Sequence, residues 1–381
     1  MSQRVLSNAT IFEGEELEVT RGYLVIRDGI IIKISKGSPS GRSTDLKRGF
    51  ILPPFVNAHT HVADSVAKEL YLGRTQQEVV GPGGEKFRAL GSHSRSELLA
   101  SVRATLQDML RTGTLAHCDF REGGVKGVEL LREASHKAVK SIIMGRFSTL
   151  EELNVVLKKS DGIGLPSLNA FDEKILRSIA NQTRRAKKLF SIHVAELKSA
   201  RDEVERALEL RPSFIVHATH ANKEDFVSLQ KNDVPVVFCP RANSLLGVGT
   251  PSIHLALSTN VRFCFGTDNA MVCQPNMFEE LSFAWACLRR ADPTAGGEEA
   301  RKLLQAATIE PLNLFNLPWG PVEEGGSATF MVLTRGNNLT NLTNVHSGLV
   351  NRARADNIRT IYSRGKFYKL ENQPKIDVLT G

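Results

Sequence analysis

The stretch Pro53–His61, "PPFVNAHTH", decides how the rest of the chain is read. An apolar run leads directly into two histidines one residue apart. Side chains of a strand alternate between its faces, so His59 and His61 point one way and Thr60 the other. Two imidazoles aimed at one point suit a metal ion. The competing reading is a pair of surface or hydrogen-bonded histidines, and the spacing alone does not separate the two.

Outward from this stretch the chain alternates between strand and helix patterns. "RSELLASVRATLQDMLRTG" (95–113) has helical periodicity and stops at Gly113. "FILPPFVNAHTH", "TLAHCDF", "VKSIIMGRF", "DGIGLPSL", "LFSIHVAE", "SFIVHAT", "VPVVFCP" and "VRFCFGTDN" read as eight strands, with helical runs between most of them. Such alternation implies parallel strands. Eight of them favour an α/β fold of the closed (β/α)₈ kind, a TIM-like barrel, over an open doubly wound sheet. The open sheet would want a glycine-rich phosphate turn after its first strand, and "HTHVADS" is not one.

The two chain ends read differently. "YLVIRDGIIIKI" is two apolar runs joined at Asp28-Gly29, a hairpin signal. From about residue 325 the sequence reads as β-structure again, including "SGLVNRARADNIRTIYSRGKFYKL". The expected organisation is a small β-sandwich domain from residues 1–52 and 325–381, with a barrel over 53–324.

Composition excludes several classes. Of 381 residues, 41% are hydrophobic and 24% charged, the balance of an ordinary globular protein. No apolar run is long enough for a transmembrane helix, and the N-terminus lacks the apolar core of a signal peptide. A cytoplasmic protein with no membrane association is expected. The five cysteines contain no Cys-x-x-Cys and sit mostly in apolar strand-like runs, which reads as buried reduced thiols. A net charge of +8 is compatible with an anionic ligand. The basic residues are spread out, however, and no nucleic-acid partner is expected.

In a (β/α)₈ barrel, chemistry sits where strands end. The predicted strand ends offer His59 and His61; His117, Asp119 and Arg121; Arg146; His193 and Glu196; His217 and His220; Arg241 and Asn243; and Asp268. The fourth strand, "GLPSL", offers no lysine that could bridge two metals. Six of the ten histidines lie at these strand ends, and together they turn the weak His-x-His signal into a metal site. Arg121 and Arg146 present planar forks that could hold a substrate anion, or ion pairs with Glu122 or a neighbour. Lys86 and Arg88, in "GPGGEKFR", read as a solvated loop, with a mobile loop over the site as the other reading.

"PPFVNAHTH", "HVAE", "VHATH" and "GTDN", in this order, resemble the amidohydrolase superfamily. The resemblance is to its branch of cytosine, guanine and S-adenosylhomocysteine deaminases and triazine chlorohydrolases, and it covers nearly the whole chain. It implies metal ligation by His59, His61, His193 and Asp268. It implies catalytic roles for Glu196 as proton shuttle, His217 at the attacking hydroxide and Asp268 as proton acceptor. Arg121, Arg146, Asn243 and His220 are candidate substrate contacts. The implied cofactor is one divalent ion, Zn²⁺ before Fe²⁺ or Mn²⁺. The implied reaction is deamination of an amino-substituted N-heterocycle (a purine, pyrimidine, pterin or nucleoside derivative) by metal-bound hydroxide. Opening of a cyclic amide, as in imidazolonepropionase-like members, is the alternative, and a non-catalytic metal-binding scaffold the third reading. The partner is a small heterocyclic molecule; a homodimer is compatible with the resemblance. The chain departs from the pattern at Pro54 and Asn269, where relatives often have glycine, and over residues 62–92, which do not match the substrate loop of those deaminases.

Overall fold

The computed structural model describes residues 3–147 and 149–368. Residues 369–381 of the expected terminal β-domain lie outside the described residues.

Both chain ends build one mixed sheet. Its N-terminal strands are β1 (Gln3–Glu13), β2 (Glu18–Arg27), β3 (Ile30–Lys36) and β4 (Thr44–Leu52). Asp28 and Gly29 link β2 to β3 with φ of 51° and 81°, the doubly positive pair of a type I′ hairpin turn. Three C-terminal strands, β14 (Phe330–Leu333), β15 (Ile358–Ser363) and β16 (Lys366–Tyr368), complete the order β16-β15-β14-β4-β1-β2-β3.

The middle of the chain supplies the second sheet. It contains β5 (Phe55–His61), β6 (Thr114–Arg121), β7 (Lys140–Gly145), β8 (Gly162–Leu165), β9 (Leu189–Val194), β10 (Phe214–His217), β11 (Val236–Phe238), β12 (Phe263–Phe265) and β13 (Asp268–Asn269). All nine pair in parallel. β12 and β13 are two steps of one strand, interrupted at Gly266-Thr267. The first step pairs with β11 and the second with β5, so the sheet closes on itself. At the interruption the backbones nearly touch: a Cβ on Gly266 would lie 2.6 Å from the His59 nitrogen. The eight predicted strands are therefore present, and helices cover the sheet between them.

Three helices follow β5: α1 (Gln76–Val80), α2 (Glu85–Ser92) and α3 (Arg95–Arg111). Capping boxes open α1 at Thr75 and α3 at Ser94. The expectation of strand throughout the C-terminal region is corrected over 345–352. Val345–Arg352 is a helix, because Asn344 accepts the Ser347 amide at 2.9 Å and Leu349 and Val350 are buried. No helix among the described residues is long and apolar enough to cross a membrane. All five cysteines are free, and Cys118, Cys239, Cys264 and Cys273 are buried.

Candidate metal centre

Five side chains from four strand ends converge. β5 ends in His59 and His61, β9 carries His193, β10 ends in His217, and Asp268 stands at the start of β13. The ring centroids of His59 lie 4.9 Å from those of both His61 and His193, and His193 lies 5.1 Å from His217. Asp268 Oδ1 is 3.3 Å from His59 Nε2 and 3.5 Å from His61 Nε2. Donor atoms of His59, His193 and His217 fall within 4.8 Å of one another, as do those of His59, His61 and Asp268.

The donor set fits a divalent ion. Nδ1 of the buried His59 has no hydrogen-bond partner and Nε2 meets only the Asp268 carboxylate at 3.3 Å, an under-satisfied arrangement that costs about 1–3 kcal/mol unless something binds there. His193 donates Nδ1–H to the Leu165 carbonyl at 2.8 Å, which leaves its Nε2 lone pair facing the cluster. His61 is held by Glu122 Oε1, 2.8 Å from its Nδ1, which frees Nε2 in the same way. Burial lowers the His59 pKa to about 4, and burial with the nearby Lys86 ammonium lowers that of His61 to about 3. Burial pushes His193 well below its ordinary value as well. Metals take neutral imidazoles. Burial alone would raise Asp268, but the contact with His59 and the surrounding histidines hold its carboxyl well below the usual range. The set thus offers neutral nitrogens and one carboxylate.

The rim carries the remaining predicted groups. Ala195, at φ 49°, turns the chain between His193 and Glu196. Glu196 is 17% exposed, and its Oε2 lies 3.8 Å from His217 Nε2. Gln76 of α1 donates to its Oε1 at 3.1 Å. Asn243 Nδ2 donates to His217 Nδ1 at 3.1 Å, which leaves the His217 proton on Nε2, toward Glu196. His217 and Asp268 have φ of 75° and 58°, a conformation that costs non-glycine residues about 1–3 kcal/mol and is found where a site demands it.

Several predicted residues are placed elsewhere. Asp119 lies in register with Thr60, so it shares Thr60's face and not that of His59 and His61. His117 Nδ1 and Asp119 Oδ2 both bond Thr60 Oγ1, and His117 Nε2 bonds Ser141. Arg121 is spent on Asp119, the Glu122 carboxylate and the Glu122 carbonyl. His220 Nε2 bonds the Val248 carbonyl at 2.7 Å. Arg241 pairs with Glu279 at 2.6 Å. Arg146 does reach the cluster: Nη1 bonds Glu122 at 2.9 Å and Nη2 is 3.5 Å from His193 Nε2.

Lys86 corrects the solvated-loop expectation. It belongs to α2, is only 3% exposed, and bonds Glu122 at 2.6 Å and Asp64 at 2.9 Å. Those two carboxylates make its burial tolerable. Arg88, on the same helix, is 69% exposed and pairs with Glu85.

Phe120 escaped the sequence reading, and Glu122 entered it only as an ion-pair partner for Arg121 and Arg146, which it is. Glu122 touches His61, Lys86, Arg121 and Arg146, and burial's upward push on its carboxyl is outweighed by the cations, led by Lys86. The Phe120 ring lies 4.4 Å from His59 and 5.1 Å from His193, an apolar wall of the cluster. Strand alternation was the available signal: Phe120 and Glu122 have the opposite parity to His117, Asp119 and Arg121. Gly164 leaves room for that ring, since a Cβ there would lie 2.4 Å from Phe120 Cδ1. Gly164→Ala is expected to cost about 1–3 kcal/mol of stability through overpacking. Equilibrium urea unfolding measures it, and an unchanged midpoint would contradict the tight fit.

A closed parallel barrel thus carries, at its strand ends, a buried histidine–carboxylate cluster that could hold a metal ion. The chain belongs to the amidohydrolase family, whose model matches residues 50–367, and so to hydrolases acting on C–N bonds. It is 34% identical over 370 residues to an uncharacterised protein of Methanocaldococcus jannaschii, covering 91% of this chain and 95% of that one. It is 21% identical over 406 residues to the 5-methylthioadenosine/S-adenosylhomocysteine deaminase of Pyrococcus furiosus, covering 97% and 96%. The fold is also that of the zinc complex of atrazine chlorohydrolase TrzN from Arthrobacter aurescens TC1 (TM-score 0.81, 17% identity, 98% and 96% covered).

Proposed function

We propose that the protein is an aminohydrolase that removes an exocyclic amine from a nitrogen heterocycle, with 6-aminopurine nucleoside derivatives as the first candidates. The observation that carries this reading is the His193–Glu196 pairing at the end of β9. His193 enters the metal cluster while Glu196, three residues on, stands at its rim beside His217. A proton donor next to a metal-activated water is what addition to an amidine-like ring carbon needs.

His59, His61, His193 and Asp268 would hold one divalent ion, Zn²⁺ in this proposal. When bound, such an ion lowers the pKa of water to roughly 7 and so supplies a nucleophile at neutral pH. Asp268 accepts the proton of the attacking water. Glu196 delivers a proton to the ring nitrogen beside the attacked carbon, so the ring's C=N electrons have somewhere to go. His217 Nε2–H donates to the oxygen that develops charge, and Asn243 holds that ring in the donating tautomer. The amine then takes the proton held by Asp268 and leaves as ammonia, while the added hydroxyl gives its proton to Glu196 as the carbonyl forms; overall, water is consumed and an amine is exchanged for a carbonyl oxygen.

Val79, Leu246, Val248, Met271 and Val272 form an apolar cluster, with Leu197 packed against it. In this reading a flat heterocycle lies beside this cluster and the polar rim. Arg146, whose Nε lacks a partner, is the substrate-facing cation in this reading. No substrate contact is proposed for Arg121 or His220.

The test is ammonia release by Zn²⁺-loaded protein from a panel of adenosine derivatives, pterins and aminopyrimidines. Ammonia from at least one compound, with the matching carbonyl product, is the expected result. Hydrolysis of cyclic amides with no ammonia from the amine panel would overturn deamination in favour of ring opening.

A further inference from the structure

Lys86, in the segment that follows β5, and Asn269, next to Asp268, meet beside the proposed metal ligands. Lys86 Nζ donates to Glu122 Oε1 at 2.6 Å, and the same oxygen lies 2.8 Å from His61 Nδ1. Lys86 Nζ also lies 3.4 Å from Asn269 Oδ1, and Asn269 Nδ2 donates to Asp268 Oδ1 at 2.9 Å. One side chain is thus tied to two metal-ligand candidates, to His61 through Glu122 and to Asp268 through Asn269.

We propose that Lys86 is a positioning residue that couples the seating of segment 76–92 to metal retention. The proposal rests on the metal reading of His59, His61, His193 and Asp268, and on no particular substrate. An ammonium removed from water is costly unless well-placed anions receive it. Asp64 and Glu122 receive Lys86, so α2 is held down by its lysine. The neighbouring helix α1 places Gln76 on Glu196 and buries Val79 in an apolar cluster with Leu246, Val248, Met271 and Val272. When this segment lifts, Glu122 loses a cation and Asn269 loses its restraint on Asp268. The ligands then lose orientation, and an ion binds less tightly. Binding linkage makes the effect reciprocal: a bound ion favours the seated segment by the same factor.

The experiment measures Zn²⁺ affinity by competition with a chromophoric chelator, together with amide hydrogen exchange over 76–92. Lys86→Met is expected to weaken Zn²⁺ binding about 10–100-fold, the range found when outer partners of metal ligands are lost. Asp64→Asn/Lys86→Met removes the carboxylate that the single variant would strand, and keeps the test available should that variant fold poorly. It is expected to show the same weakening. Arg88→Met, an exposed change on the same helix, is expected to leave affinity unchanged. Zn²⁺ is expected to slow exchange over 76–92 in the wild type and not in the Lys86 variants; a purely structural lysine would not produce that difference. Zn²⁺ affinities of both Lys86 variants within twofold of wild type would overturn the coupling. So would wild-type exchange over 76–92 that ignores the ion. A wild-type chain that binds no divalent ion would overturn the metal reading itself, and the coupling with it.

Discussion

Glu196→Gln is expected to lower kcat for ammonia release by roughly 10²–10⁴-fold, the usual contribution of a positioned acid–base group. Glutamine keeps the size of glutamate and can still accept the Gln76 amide that Glu196 accepts at 3.1 Å. It cannot supply a proton to the ring nitrogen or take one back. Glu196 is not among the groups close enough to one another to share an ion, so metal content should match the wild type. Substrate binding should change little, which separates kcat from KM. Metal analysis and steady-state kinetics on the same preparation check the expectation. A fully metallated variant within tenfold of wild-type kcat would remove Glu196 from the proton transfers.

Asp268→Asn is expected to do comparable damage by another route. The backbone at Asp268 has φ 58°, a region that asparagine tolerates nearly as well as aspartate. The substitution therefore leaves the chain path intact and removes only the negative charge. That charge is one candidate metal ligand and the proposed acceptor of the water's proton. Losing several kcal/mol of stabilisation at the attacking water corresponds to a rate loss on the order of 10³-fold or more. Zn²⁺ affinity should fall with it, and excess Zn²⁺ should restore occupancy without restoring rate. Turnover that recovers fully at saturating Zn²⁺ would confine Asp268 to holding the ion.

Much of the frame was legible in the sequence because buried parallel strands write themselves as short apolar runs. The run before His59 and the run before Gly266 are of this kind, and they gave the first and last strands. The inward aim of His59 and His61 followed from the two-residue period of a strand. The same period misleads when its phase is unknown. In "HCDFRE" the eye takes His117, Asp119 and Arg121 for the reactive face, whereas Phe120 and Glu122 stand at the cluster. The phase is set by pairing with β5, where Asp119 falls beside Thr60, and pairing is not written locally. Lys86 was illegible for a related reason. Its partners, Asp64 and Glu122, stand on other elements, and a lone lysine in a glycine-rich stretch reads as solvent-facing. The helix Val345–Arg352 was missed because its Asn344 cap precedes too few apolar residues to show a helical period.

The interruption at Gly266-Thr267 has a consequence for how the molecule comes together. The join between β13 and β5 consists of just two pairs, Thr60 with Asp268 and His61 with Asn269. It unites segments about 200 residues apart, the kind of pairing whose loop entropy makes it late in folding. Asp268 belongs to one lip of this seam and His59 and His61 to the other. In the proposed site, an ion held by all three would act as a rivet through the last suture of the ring, and a molecule whose β5 and β13 have not met would lack a complete centre.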